Sequence, residues 1–239
     1  MRPTLPEWER SKIVELAERT LWTDEGKDAR DYLKKRRLSE NTIRLFRLGY
    51  MPKDVNTPSG KRHEFAGRLI IPIFDQYGDL IALSSRDWRD NAFMKFYHES
   101  YKKGHFLFGL NVSKQNIVKK KKVIVVEGEM DVMTVYGNGL RFVVGTLGSS
   151  LRLYQLALLA RYCNEIFIVF DGDEAGLKAK DNVLQRAKEN DLSNIYNIMI
   201  VPIVLPNEND PDKFIVDNGI NEFIKILKEK KEEIEKERL

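Results

Sequence analysis

A chain of 239 residues can bury a real core, as one large domain or two small ones, and its 42% hydrophobic, 32% charged composition is that of an ordinary globular protein. No apolar run approaches bilayer length and the opening MRPTLPEWER has no signal-peptide core, so the expectation is a cytoplasmic protein with no membrane partner. The net charge of +4 hides an asymmetry across the lysine run at 119–122, because residues 1–122 carry 26 Lys/Arg and 16 Asp/Glu while residues 123–239 carry 14 and 20, which suggests a polyanion track beside a cation site.

In chain order, residues 5–47 read as helical. Trp8, Ile13, Leu16 and Leu21 recur near helical spacing, Ser39 is placed to N-cap a later helix, and Gly49 is placed to end it. MPKDVNTPSGKRHE is a polar loop. RLIIPIF and LIALSSR read as two strands, and Gly78 in the connector DQYGD suits a hairpin turn. This first part is therefore α+β. The basic, aromatic-laced FMKFYHESYKKGHFLFG fits single-strand binding, in which bases stack on rings and cations follow phosphates. Phe96, Tyr97 and Tyr101 are its stacking candidates, whereas Phe106 and Phe108 alternate with Leu107 as core. The lysine run is a solvated linker, and His63 and His105, with no partners at ligand spacing, are surface or loop residues.

Beyond the lysines the period changes. VIVVEG, MDVMTVYGN, RFVVGT, LRLYQLALLARY, IFIVFDGD, AGLKAKDNVLQRAKEN and NIMIVPIV alternate short β-branched runs with helical segments, which predicts a parallel sheet with helices on its faces. Cys163, the only cysteine, excludes an internal disulfide and a CxxC zinc site, and in LALLARYC it reads as a buried core thiol. The tail NEFIKILKEKKEEIEKERL is a charged helix with glutamate–lysine pairs at i,i+4. The predicted division is 1–122, 123–220 and the tail helix 221–239.

Three acidic clusters fall at strand ends, where ligands of such sheets bind. VIVVEGEMD places Glu127 just past a strand and Asp131 in the next helix. FDGDEAG places Asp171 and Asp173 two apart, projecting to one side of an extended backbone, with Gly172 and Gly176 allowing a tight exit. NDPDKF places Asp210 and Asp212 around Pro211. Each alone is weak, since ExxxD is common by chance and aspartates before helices are usually N-caps. Together they would repel unless a cation neutralised them, and hard oxygen ligands without a His/Cys set suit Mg²⁺ or Mn²⁺, an ion that completes its shell with substrate phosphates. GTLGSSL, between the clusters, is either a phosphate loop or a plain turn capped by Ser149 or Ser150.

The ordered set VVEGEMD, GTLGSSL, FDGDEAG and LPNENDPDKFI resembles the TOPRIM domain of primases, topoisomerases and some nucleases. With RLSENTIRLFRLGYMPKD, RLIIPIFDQYGDLIALSSR and KGHFLFGL upstream, residues 27–220 resemble the catalytic core of bacterial and phage DnaG-type primases. The resemblance implies an α/β TOPRIM domain preceded by a smaller basic α+β subdomain, and an enzyme that makes short RNA primers on single-stranded DNA from ribonucleoside triphosphates at the replication fork. It implies Glu127 as the acid/base group and Asp171 and Asp173 as the metal-binding DxD, with Asp131, Asp210 and Asp212 in support. It also implies Arg68, Arg86 and Lys95 toward nucleic acid or nucleotide, to which the basic aromatic stretch adds Phe96, Tyr97, Lys102 and Lys103.

Two departures stand out. Ser84-Ser85 replaces a pair of glycines of the family, and His98 stands where an asparagine is expected. No zinc ribbon precedes residue 1 and the family's helicase-binding domain is missing, so the expectation is either an excised core or a compact, phage-encoded enzyme, with a replicative helicase and, where the zinc module is supplied by another chain, a separate zinc-binding module as partners. Two alternatives remain: a TOPRIM-type metal-dependent nuclease, and a non-catalytic single-strand-binding replisome module.

Overall fold

The computed structural model describes residues 5–56, 63–89, 92–148 and 151–237. The chain folds as two compact units that divide between Lys102 and Lys103, earlier than the lysine run.

The first unit begins with α1 (Glu7–Leu21), α2 (Lys27–Lys35) and α3 (Glu40–Leu45), followed by β1 (Gly49–Tyr50), β2 (Leu69–Phe74), β3 (Leu80–Arg86) and β4 (Phe96–His98). The strands form one antiparallel sheet in sequence order. Helix α1 has Glu7 and Glu9 in its first turn and Arg19 in its last, each favourable to the helix dipole. Ile13, Val14 and Ala17 on its buried stripe pack with Ile70, Leu83 and Phe65. Trp8 is not part of that stripe: it lies five residues from Ile13, about 140° around the helix, and is 62% exposed with the Lys12 ammonium over its ring.

Ser39 caps α3 as expected, accepting the Thr42 N–H at 3.2 Å. Gly49 does not end that helix. Arg47 takes the left-handed turn at φ 55°, its guanidinium held by both oxygens of Glu18. Gly49 instead opens β1, where a Cβ would stand 2.4 Å from the Ala17 carbonyl carbon, so a residue without a side chain lets the strand lie against α1. The β2–β3 hairpin turns as predicted: Gly78 has φ 99°, and Asp75 Oδ1 accepts the N–H groups of Tyr77, Gly78 and Asp79 at 2.8, 3.0 and 3.1 Å.

The second unit runs α4 (Leu110–Lys120), β5 (Lys122–Val126), α5 (Glu129–Gly137), β6 (Val143–Gly145), α6 (Leu153–Ala160), β7 (Glu165–Phe170), α7 (Glu174–Glu189), α8 (Leu192–Ile195), β8 (Met199–Val204), α9 (Pro211–Asn218) and α10 (Ile220–Glu237). Its four strands are parallel in the order β6-β5-β7-β8. Val123, Val125, Ile166 and Ile168 bury one face of the central pair, and Cys163 joins the same core, burial pushing its thiol up to about 12.

The lysine run is not a linker. Lys119 and Lys120 end α4, Lys121 is its left-handed C-cap, and Lys122 opens β5. This placement removes most of the charge asymmetry. Residues 1–102 carry 20 Lys/Arg and 16 Asp/Glu, and residues 103–239 carry 20 and 20. The tail helix likewise belongs to the second unit, burying Phe223 and Leu227 against α9 and β8. Its ion pairs Lys225–Glu222 and Lys230–Glu233 are at i,i+3, and Lys231 joins both Glu235 at i,i+4 and Glu165 of β7. Among the described residues no helix is long and apolar enough to cross a membrane.

Candidate active site

From β5 the chain crosses to β6 on one side, and from β7 it crosses to β8 on the other. The carboxyl ends of β5 and β7 therefore flank a topological switch point, the crevice in which open parallel sheets bind ligands. A cleft of about 340 Å³ opens there, lined by Glu127 and Thr146, by Gly148 and Leu151, and by Asp171, Asp173 and Gly176. Ser149 and Ser150, the expected caps, lie outside the described residues.

The cleft depends on a close approach at Gly172. A Cβ there would meet the Leu205 carbonyl oxygen at 2.3 Å and the Glu208 nitrogen at 2.9 Å. The reason for glycine is steric, since the loop after β8 packs onto the DxD turn.

The six carboxylates divide into two groups. Asp171, at the end of β7, has a buried Oδ1 with no hydrogen-bond partner. Burial first, then the charges of Glu127, Asp210 and Asp173, raise its carboxyl to about 6. Glu127 stands at the rim, pushed above the usual range by desolvation and then by Asp173. Asp173 and Asp210 are N-caps, accepting the Gly176 N–H at 2.7 Å and the Lys213 N–H at 2.6 Å.

Asp131 and Asp212 form a buried strut instead. Asp131 accepts the Gly128 N–H at 3.0 Å and the Asp212 N–H at 3.2 Å, and Asp212 Oδ1 accepts the Thr134 hydroxyl at 2.6 Å. These bonds tie α5 to α9. Burial, with Asp210 and Asp171, raises Asp131 well above the usual range. Thr134 was not a candidate on sequence, because its partner lies 78 positions away.

No three acidic, His or Cys side chains among the described residues stand together as a ready cage. The set nevertheless fits a hard divalent cation. It is all oxygen, one buried carboxylate oxygen lacks a partner, and an ion that takes only one or two protein carboxylates plus substrate phosphates needs no closed cage.

Lys103 lies in the second unit, where its Nζ donates to the Leu147 carbonyl at 3.1 Å. It thereby secures the loop beside the cleft. Gln155, another residue that sequence reasoning missed, is fully buried, accepts the Arg152 N–H at 2.9 Å and donates to the Phe106 carbonyl at 2.6 Å. Its signal was available: a glutamine at N3 of a helix is the returning half of a capping box.

In the first unit, a groove of about 670 Å³ is lined by Lys35, Arg36, Arg86, Arg89 and Lys95 with Tyr32 and Trp88, and by Asp28, Asp31 and Asp87. Lys95 and Phe96 are exposed, and Phe96 carries the Arg86 guanidinium at 4.7 Å and stacks on His98 at 6.1 Å. Tyr97 points to the other face of β4, half-buried against the core, packing edge-on against Phe65 at 5.3 Å with its hydroxyl bonded to Glu64. Tyr101 is half-buried and Lys102 is exposed. Phe108 is buried as expected, while Phe106 is half-buried. Arg68 is only 8% exposed, with its guanidinium among protein partners. His63 accepts the Phe65 N–H through Nδ1, and His105 stacks on Tyr154.

Comparison with known proteins finds two separate matches along the chain. Residues 124–215 match the Toprim-like family, and residues 16–64 match the N-terminal domain of the DNA primase catalytic core. The fold and the acidic switch-point cleft define the second unit as a TOPRIM-type domain. A DNA primase of Aquifex aeolicus is 29% identical over 84% of this chain and 45% of its own length. The crystal structure of the zinc-binding and RNA polymerase domains of the Aquifex aeolicus primase superposes with a TM-score of 0.79 at 27% identity, covering 94% of this chain and 62% of that one. A DnaG primase catalytic domain bound to single-stranded DNA superposes with a TM-score of 0.80 at 25% identity, covering 94% and 83%. In sequence and fold the chain is similar to DnaG-type DNA primase catalytic cores. It spans less than half the length of the Aquifex primase sequence that it matches.

Proposed function

We propose that this chain is the catalytic core of a DNA primase, joining ribonucleoside triphosphates into short RNA primers on a single-stranded DNA template. The observation that carries the reading is the partnerless, buried Asp171 oxygen at the switch point of a TOPRIM-type sheet, in a chain that also matches the primase N-terminal domain. Asp171, with Asp173, Glu127 and Asp210 at the rim, would hold Mg²⁺ or Mn²⁺, which when bound polarises the α-phosphate and lowers the pKa of the attacking hydroxyl.

The chain's own groups have separable tasks. Glu127, at the rim of the cleft with its carboxyl raised by burial and by Asp173, accepts the 3′-hydroxyl proton as the new O–P bond forms and pyrophosphate leaves. Asp131, Asp212 and Thr134 hold α5 and α9 so that Glu127 and Asp210 flank Asp171. Lys103 secures the loop at Leu147. In the first unit, Lys95 and Arg86 follow template phosphates and Phe96 offers a stacking ring. A replicative helicase and a zinc-binding module are the protein partners this function calls for, and the Aquifex relative's structure contains zinc-binding and polymerase domains together.

The deciding assay uses end-labelled single-stranded DNA with differently labelled ribonucleotides and Mg²⁺ or Mn²⁺. Short ribonucleotide products over intact template are expected. Shortened template without such products would make the chain a nuclease instead, and strand binding with neither product would make it a binding module.

A further inference from the structure

The guanidinium of Arg68 is used entirely within the first unit. Its Nε donates to Ser85 Oγ at 2.9 Å, and one terminal nitrogen donates to the Met94 and Lys95 carbonyls at 2.8 and 3.0 Å. The other terminal nitrogen lies 3.8 Å from the Asp87 carboxylate, and the Asp87 N–H itself donates to the Lys95 carbonyl at 2.8 Å. Ser85 Oγ donates onward to the Tyr97 carbonyl at 3.3 Å. A planar fork with five donors reaches these partners together, whereas a single ammonium does not.

The bonds close a ring that joins β2, β3 and the segment entering β4. That segment carries Lys95, whose exposed side chain lines the cationic groove. Turning Arg68 outward to a phosphate would leave the Asp87 carboxylate to Arg89 alone and the Met94 and Lys95 carbonyls without this donor, a cost that falls on the very segment Lys95 depends on.

We propose that Arg68 is a positioning residue: it takes no phosphate itself, and by holding the Met94 and Lys95 carbonyls against Ser85 and Asp87 it fixes where Lys95 meets the nucleic-acid strand. Ser85 is the second member of this clamp. The inference rests on the reading of the first unit as a single-strand track.

The test is single-stranded DNA binding by fluorescence anisotropy across a salt series, for wild type, Lys95→Ala, Arg68→Lys and the double variant. Lys95→Ala is expected to lower the slope of log K against log salt by about 0.7, the value for one phosphate contact on a single strand. Arg68→Lys should lower it by the same amount, and the double variant no further. Slopes that fall independently would make Arg68 a phosphate contact and overturn the proposal.

Ser85→Ala, which leaves every charge in place, should weaken binding in the wild-type background and be silent beside Lys95→Ala. It carries the test if Arg68→Lys does not fold, and a Ser85→Ala chain that binds like wild type would overturn the proposal. Arg86→Ala must remain additive with Arg68→Lys or, in its place, Ser85→Ala, since loss of additivity there would mean a general loss of structure and would also overturn it. A wild-type chain that binds no single strand refutes the primase reading and the clamp's role with it, an outcome distinct from additive slopes on a chain that binds.

Discussion

In the first unit, Glu99 has 1% of its side chain exposed and accepts from the Arg10 guanidinium, the Leu5 N–H and the Leu83 N–H, while Asp87 is enclosed by Arg89 and Arg68. In the second, the buried Oδ1 of Asp171 has no hydrogen-bond partner and the charges that shift its pKa, Glu127, Asp210 and Asp173, all share its sign. The outcomes for pKa are opposite. Burial alone would raise Asp87, but hydrogen bonds and charge from Arg89, with Arg68, hold it below the usual range; Asp171 is raised. Buried charge that is paired organises a scaffold, and buried like charge left uncompensated marks a place prepared for something absent from the chain itself.

The largest expected effect comes from removing the uncompensated charge. Asp171→Ala should lower primer synthesis by at least about 10²–10³-fold, the scale for losing a group that stabilises charge in a transition state, while anisotropy shows unchanged single-strand binding. Equal loss of both would make the residue structural and erase the contrast.

Removing a paired charge should instead cost stability. Glu99→Ala leaves the Arg10 guanidinium and two N–H groups without their acceptor and is expected to destabilise by about 3–5 kcal/mol in urea unfolding. Next in size is the strut between α5 and α9. Asp212→Ala should cost about 1–3 kcal/mol, chiefly by leaving the Thr134 hydroxyl unsatisfied, and a value near zero would mean that the strut holds nothing.

The smallest effect has the reverse sign. Asp171 titrates at about 6 in the folded chain against a reference of 3.8, so the folded state keeps a proton that the unfolded state has already lost. Stability is therefore lost as pH rises from about 3.8 through 6. Asp171→Asn does not ionise and should melt higher than wild type at pH 7 in chelator, by a margin that shrinks as pH falls through that window. A margin independent of pH would assign the gain to packing and not to charge.

Much of this organisation was legible locally. The alternation from VIVVEG to NIMIVPIV predicted every strand of the parallel sheet, Ser39 and Gly78 took their expected cap and turn, and Glu127, Asp171 and Asp173 meet at the mouth of one cleft. Each of these rests on period, turn chemistry or position at a strand end, which are properties of neighbouring residues. The errors share another origin. Trp8 fits a helical stripe but faces solvent, Gly49 fits a helix end but serves a strand against Ala17, and the lysines at 119–122 look like a linker but close a helix.

The sequence by itself determined which residues are chemically able to act: a set of oxygen ligands at strand ends and a basic, aromatic segment upstream. Only the tertiary structure decided which of them are available. Asp131 and Asp212 were drawn into a strut, Arg68 into a clamp and Tyr97 against Phe65, because each met a partner from a distant element, whereas Asp171 met only charges of its own sign. Side-chain type is local information, but burial and pairing depend on which remote segments come together, and those meetings separate a carboxylate with partners from one without.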